Sequence, residues 1–214
     1  MKIVFCKIAW MEQYKGNERG SDQPYLDGRP MPKKAEPDEA FNFCMANMDF
    51  PDKKLKNGAY CIGYADLSEE GDKIALERIS GNEADKKKEF LEDVVVVYCA
   101  VDPQGDKSHL SVVGWYLHAT VYREYEAADF GDATDGYQQP YHTISKKKNC
   151  VLLPVAERRK AKWQVPVMGK ADAEYGFGDG NIWYADEKSK SVHGFVKEIN
   201  DKVFGYSGTN RIDG

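Results

Sequence analysis

Apolar positions along the chain fall into short dense runs separated by polar stretches rich in glycine and proline. Residues 2–9 (KIVFCKIA) and 59–66 (AYCIGYAD) are rich in β-formers and predict strands. The densest run is 93–101 (DVVVVYCAV). Its apolar residues are continuous rather than alternating, which predicts a strand buried on both faces. After a polar turn, 110–117 (LSVVGWYL) and 119–125 (ATVYREY) predict two more strands, or one long bent strand with a bulge at Gly114. Residues 141–145 and 150–155 predict short strands around the basic turn KKKN. Residues 73–79 fit a strand or a short helix, and the charged stretch 82–92 a helix with Asn82 as cap. Val192, Phe195, Val196, Ile199 and Val203 recur at helical spacing, so 188–204 predicts an amphipathic C-terminal helix.

Two polar stretches, 11–40 and 127–140, predict long loops of the kind that carry function or move. No repeat or linker interrupts the pattern. The simplest reading is one α+β domain over 1–214, with a curved, barrel-like mixed sheet flanked by helices.

Composition narrows the function. The net charge of -5 excludes a global basic field for holding nucleic acid, so any such site must be a local basic patch. No run reaches the ~20 apolar residues that span a bilayer, and MKIVFCKIAW lacks the features of a secretion signal. The expected location is the cytoplasm, with no membrane partner. The five cysteines are widely spaced without a C-x-x-C pair, and four sit in apolar runs. They read as buried free thiols rather than zinc ligands.

Catalytic signals are weak. His109, His118, His142 and His193 lack metal-ligand spacing, and no nucleophile elbow or phosphate-binding loop occurs. Asp129, Asp132 and Asp135 are spaced wrongly for a calcium loop, and leave a metal-dependent nuclease or hydrolase as an alternative only. No catalytic residue, metal or cofactor is assigned, and the reading leans away from an enzyme.

Aromatic and basic residues point elsewhere. Trp10, Trp115, Tyr116 and Trp163 lie near predicted strand ends, where pockets form, and aromatic faces can stack on a base. Lysine and arginine clusters also fall at the ends of apolar runs: Lys53, Lys54 and Lys56; Lys86, Lys87 and Lys88; Lys146, Lys147 and Lys148; Arg158, Arg159, Lys160 and Lys162. Gathered on one rim of a curved sheet, they would contact phosphates. The expected phosphate contacts are Lys86, Lys87, Lys147, Lys148, Arg158 and Arg159.

DVVVVYCAV, a turn, then LSVVGWYLHATVYRE resembles the central strands of the PUA-like superfamily, which includes the EVE, YTH and ASCH domains. The resemblance is centred on residues 90–125. It implies a small β-barrel flanked by helices that reads a modified or flipped base in an aromatic pocket without chemistry, with Trp115 and Tyr116 at or beside that pocket. It also implies DNA rather than RNA as partner, a nuclease or helicase alongside, and a role in bacterial restriction or defence. A sensor of a small nucleotide using the same pocket, and an interaction protein with no small ligand, are the other readings.

Overall fold

One strand organises the sheet. In the computed structural model, which describes residues 2–16, 22–32, 36–46, 60–67, 73–129 and 138–212, β7 (His109–Asp129) runs for 21 residues. Along one edge it pairs antiparallel with β6 (Phe90–Ala100). Along the other it pairs in succession with β8 (Gln138–Lys146), β9 (Cys150–Leu152) and β10 (Gln164–Pro166). A straight strand of that length would extend about 70 Å. Breaks in register bend it instead. One falls where Tyr98 faces Gly114 but Cys99 faces Val112, leaving Val113 unmatched. The bulge expected at Gly114 is there, and the two predicted strands are one. A second irregularity brings Asp93 and His118 together, both with left-handed backbone (φ +58° and +49°) and joined Oδ1 to Nδ1 at 2.7 Å.

The remaining strands extend this ribbon. β1 (Ile3–Lys7) lies parallel to β6 and carries β11 (Ile182–Trp183) on its far side. β8 pairs with β5 (Tyr60–Gly63), and β5 with β4 (Met45–Ala46). The order is β11-β1-β6-β7-β8-β5-β4 with β9 and β10 also on β7, and β11 and β4 do not meet. The sheet is therefore mixed, mostly antiparallel and open, rather than closed into a barrel. Among the described residues three α-helices accompany it: α1 (Leu76–Ser80), α2 (Val155–Arg158) and α3 (Lys190–Phe204). None is long and apolar enough to cross a membrane.

Each face of the sheet supports its own core. Val4, Cys6, Val94, Val96, Tyr98, Tyr116 and Val121 pack on one face with α1 and the chain around Trp10 and Tyr14. Phe5, Val95, Val97, Cys99, Val112 and Trp115 pack on the other, where Val192, Ile199 and Val203 of α3 cover them. This explains the continuous apolar run of β6: both alternating sets are buried, so neither can be polar. None of the five cysteines is in a disulfide, and Cys6, Cys61, Cys99 and Cys150 are buried as expected.

Two readings are corrected. The charged stretch after Asn82 is only a 3-10 turn (Glu83–Lys87), although Asn82 caps it through a bond from the Ala84 amide. The chain is drawn into β6 from Phe90 before a helix can propagate. The stretch 11–40 is not one loop either. It contains a hairpin, β2 (Tyr25–Leu26) and β3 (Arg29–Pro30), turning at Asp27-Gly28 with φ of +49° and +72°. Positive φ at both central residues matches the right-handed strand twist and suits Asp-Gly.

What fastens this region is polar. Asp22 accepts from the amides of Glu12, Gln13 and Tyr14 at 2.7–2.8 Å. Glu39 accepts from the Ala9 amide, and burial raises its pKa. Asn42 makes two bonds to the backbone of Tyr64.

Candidate nucleic-acid interface

After β9, Pro154 starts the single turn of α2, and Lys160 leads into a 3-10 turn, Ala161–Trp163, that delivers the chain to β10. The turn places the Trp163 ring beneath α3, stacked on Trp115 of β7 with centroids 5.3 Å apart. Tyr206, just beyond the end of α3, meets both rings edge-on at 5.3 and 6.0 Å. Trp115 and Trp163 are buried, whereas Tyr206 is half-buried and carries the column to the surface.

There it meets a cleft of about 630 Å³ walled by α2, the 3-10 turn, the end of α3 and residues 205–209. Lys160, Lys162 and Lys202 stand on its rim. Glu157 organises the near side. It accepts from Trp163 Nε1 at 3.0 Å and pairs with Lys160 and with Lys162 Nζ. Lys160, then Lys162 and the indole N–H, hold its pKa down at about 2, so it stays ionised at any ordinary pH. Lys162 also lies 5.2 Å from the Trp163 ring centroid. Lys202 donates to the Lys162 carbonyl and pairs with Glu198. Burial, followed by the charge of Glu157, raises the pKa of Tyr206. Chemically the cleft offers an aromatic surface, ammonium groups and backbone carbonyls.

The four aromatics expected in one pocket do not share one. Trp10 and Tyr116 belong to one core and Trp115 and Trp163 to the other, across the sheet. Neighbours on a strand point to opposite faces, so Trp115 and Tyr116 cannot line the same wall. Tyr116 is held in the core by donating to the Ile62 carbonyl at 2.8 Å. Of the four, Trp163 alone lines the cleft.

The basic residues also divide. Arg158 is wholly buried and is corrected from phosphate contact to structural anchor. Its guanidinium donates to the carbonyls of Leu153, Met11 and Glu12 at 2.6–2.8 Å and lies 5.3 Å from the Trp10 ring centroid. Desolvation lowers its pKa from the usual arginine value. Arg159 makes a two-pronged bond to Asp102. Lys86 pairs with Glu83 in the turn beside α1, where Lys87 also sits. Lys147 and Lys148 lie in the 3-10 turn between β8 and β9. None of these lines the cleft. The neighbouring Lys160 and Lys162 do, and their cluster was visible in the sequence. Lys202 and Tyr206 were missed; the amphipathic register of α3 concealed a lysine aimed along the helix end.

A second aromatic surface lies at the other end of the sheet. Tyr64 and Tyr125 stack 5.0 Å apart, and the buried His142 ring lies 3.8 Å from Tyr125. Burial lowers the pKa of His142 to about 3. Among the described residues no group of His, Cys, Asp and Glu could hold a metal ion. Asp129 ends β7, and Asp132 and Asp135 lie outside the described residues, as do Lys53, Lys54 and Lys56. No family model, curated protein or solved structure matches the chain.

Proposed function

We propose that the protein is a nucleic-acid-binding module of the PUA-like kind, and that the cleft at Tyr206 is where it holds a base and the adjoining phosphates. The observation that carries this is the aromatic column Trp115–Trp163–Tyr206 ending in a cleft rimmed by Lys160, Lys162 and Lys202. Base stacking on an aromatic ring contributes about 1–3 kcal/mol, and each neutralised phosphate adds a salt-dependent share. The expected partner is DNA, a nuclease or helicase acts alongside in restriction or defence, and the location is cytoplasmic. Glu157 sharpens selectivity, because phosphates must compete with a carboxylate already bound to two of the lysines.

The test is a titration with short single- and double-stranded oligonucleotides, followed by tryptophan fluorescence at low and high salt. They carry cytosine, 5-methylcytosine, 5-hydroxymethylcytosine or N6-methyladenine. Saturable quenching that prefers one modified base, and that is lost in Tyr206→Ala and in Lys160→Glu/Lys202→Glu, supports the reading. Absence of quenching, or quenching untouched by both variants, refutes it.

A second reading follows from size. About 630 Å³ is the volume of a small-molecule site, which suits a single nucleotide. Full displacement of DNA by a free mononucleotide would favour a sensor.

A further inference from the structure

A separate cavity of about 520 Å³ opens where the β2–β3 hairpin tip meets the β6–β7 turn and β10. It shares no lining residue with the cleft at Tyr206. Its floor is apolar: Leu110, Val167 and Phe177, with Leu110 and Phe177 belonging to the α3-side core. Its rim is cationic. Lys7, Lys107 and Lys170 surround it, against the carboxylates of Asp27 and Asp179.

Lys7 is unusual. It ends β1, its side chain is only 19% exposed, and it reaches the cavity along the apolar wall. With its stem covered, the ammonium is presented at the cavity, where it can meet an anion. Its partner is Asp27, 3.4 Å away and 62% exposed, which makes a long and weak pair. Asp27 is carried at the tip of the β2–β3 hairpin. It sits in the tight Asp27-Gly28 turn, and Gly28 is packed against Lys107 and Val101, where a Cβ would come within 2.9 Å of Lys107 Cε. The long Lys7–Asp27 pair leaves Lys7 able to take an acid from outside, and the apolar floor can cover a flat body attached to that acid.

We propose that this cavity binds a small organic anion with a flat apolar body. The acid group displaces Asp27 from Lys7, and Lys107 and Lys170 complete its surroundings. The inference is independent of the nucleic-acid reading.

The test uses 1-anilinonaphthalene-8-sulfonate, an aryl anion whose fluorescence rises out of water, on the full chain. Its neutral relative N-phenyl-1-naphthylamine is run in parallel. The expected result is saturable binding of the sulfonate, one per chain, weakened at least about ten-fold by Lys7→Met and tightened about three-fold by Asp27→Asn. Lys160→Met and Tyr206→Ala leave it unchanged. Displacement by phenyl phosphate or by benzoate identifies the preferred acid. The proposal is overturned if the sulfonate does not bind, if the neutral dye binds as tightly, or if binding ignores both Lys7→Met and Asp27→Asn. Should Lys7→Met fail to fold by circular dichroism, Asp27→Asn carries the test alone, since its carboxylate is exposed.

Discussion

The two faces of the sheet are covered in opposite ways. On one, α3 lays Val192, Ile199 and Val203 over Phe5, Val97 and Trp115. On the other, irregular chain around Trp10, Tyr14 and Phe43 lies over Val96, Tyr98 and Tyr116. A helix satisfies its own backbone except at its ends, so apolar contact does most of the fastening, with the Lys202 bond to the Lys162 carbonyl added. An irregular segment brings unpaired amides and carbonyls into the interior, and each needs a partner. Hence four buried polar residues serve the second face: Asp22 for three amides, Arg158 for three carbonyls, and Glu39 and Asn42 for the neighbouring turns. One face is held by area and the other by complementarity.

The comparison can be broken most sharply at Arg158. Arg158→Met strands two buried carbonyls and a part-buried one, and should cost about 3–5 kcal/mol in urea unfolding. A loss under about 1 kcal/mol would show that the loop face does not depend on its polar anchors. On the helix face, Ile199→Ala leaves a cavity and should cost about 3 kcal/mol, without altering hydrogen-exchange protection of the Glu12–Tyr14 amides beyond the global change.

The end of the sheet near Tyr125 should reveal itself by pH. His142 has a folded pKa of about 3 against an ordinary value of 6.5, so the unfolded chain binds the extra proton between these values. Its contribution is fully present above about pH 6.5 and is lost as pH falls toward 3. The slope from this one group approaches about 1.4 kcal/mol per pH unit. His142→Phe should flatten the stability profile over that window; an unchanged slope would assign the acid sensitivity to other groups. The smallest effect is expected at Ser189, whose side chain accepts from the Val192 amide at the start of α3. Ser189→Ala should lower stability by about 1 kcal/mol and Ser189→Asp should restore most of it, read as thermal shifts.

Much of the framework was legible in local pattern. β6 announced burial on both faces, α3 announced its apolar stripe, and Gly114 announced the bulge that makes one strand of two. The Asp27-Gly28 turn was legible as well, since Asp-Gly flanked by TyrLeu and ArgPro is a hairpin signal, but it was submerged in a long polar stretch. The opposite fates of Trp115 and Tyr116 follow from strand alternation alone. What could not be read was the destination of Arg158 against Arg159 and Lys160. These three neighbours in one basic run become a buried anchor, a surface ion pair and a cleft rim.

The sequence by itself determined the elements that depend on neighbours within a few residues: strands from dense runs of β-formers, α3 from period 3.6, and turns from glycine and aspartate. Only the tertiary structure decided which sheet face each aromatic serves, that Trp163 comes to lie on Trp115 beside Tyr206, and that Asp27 faces Lys7. The physical reason is that periodicity records whether a side chain is buried, while its partner is set by strand order and register between segments far apart in the chain.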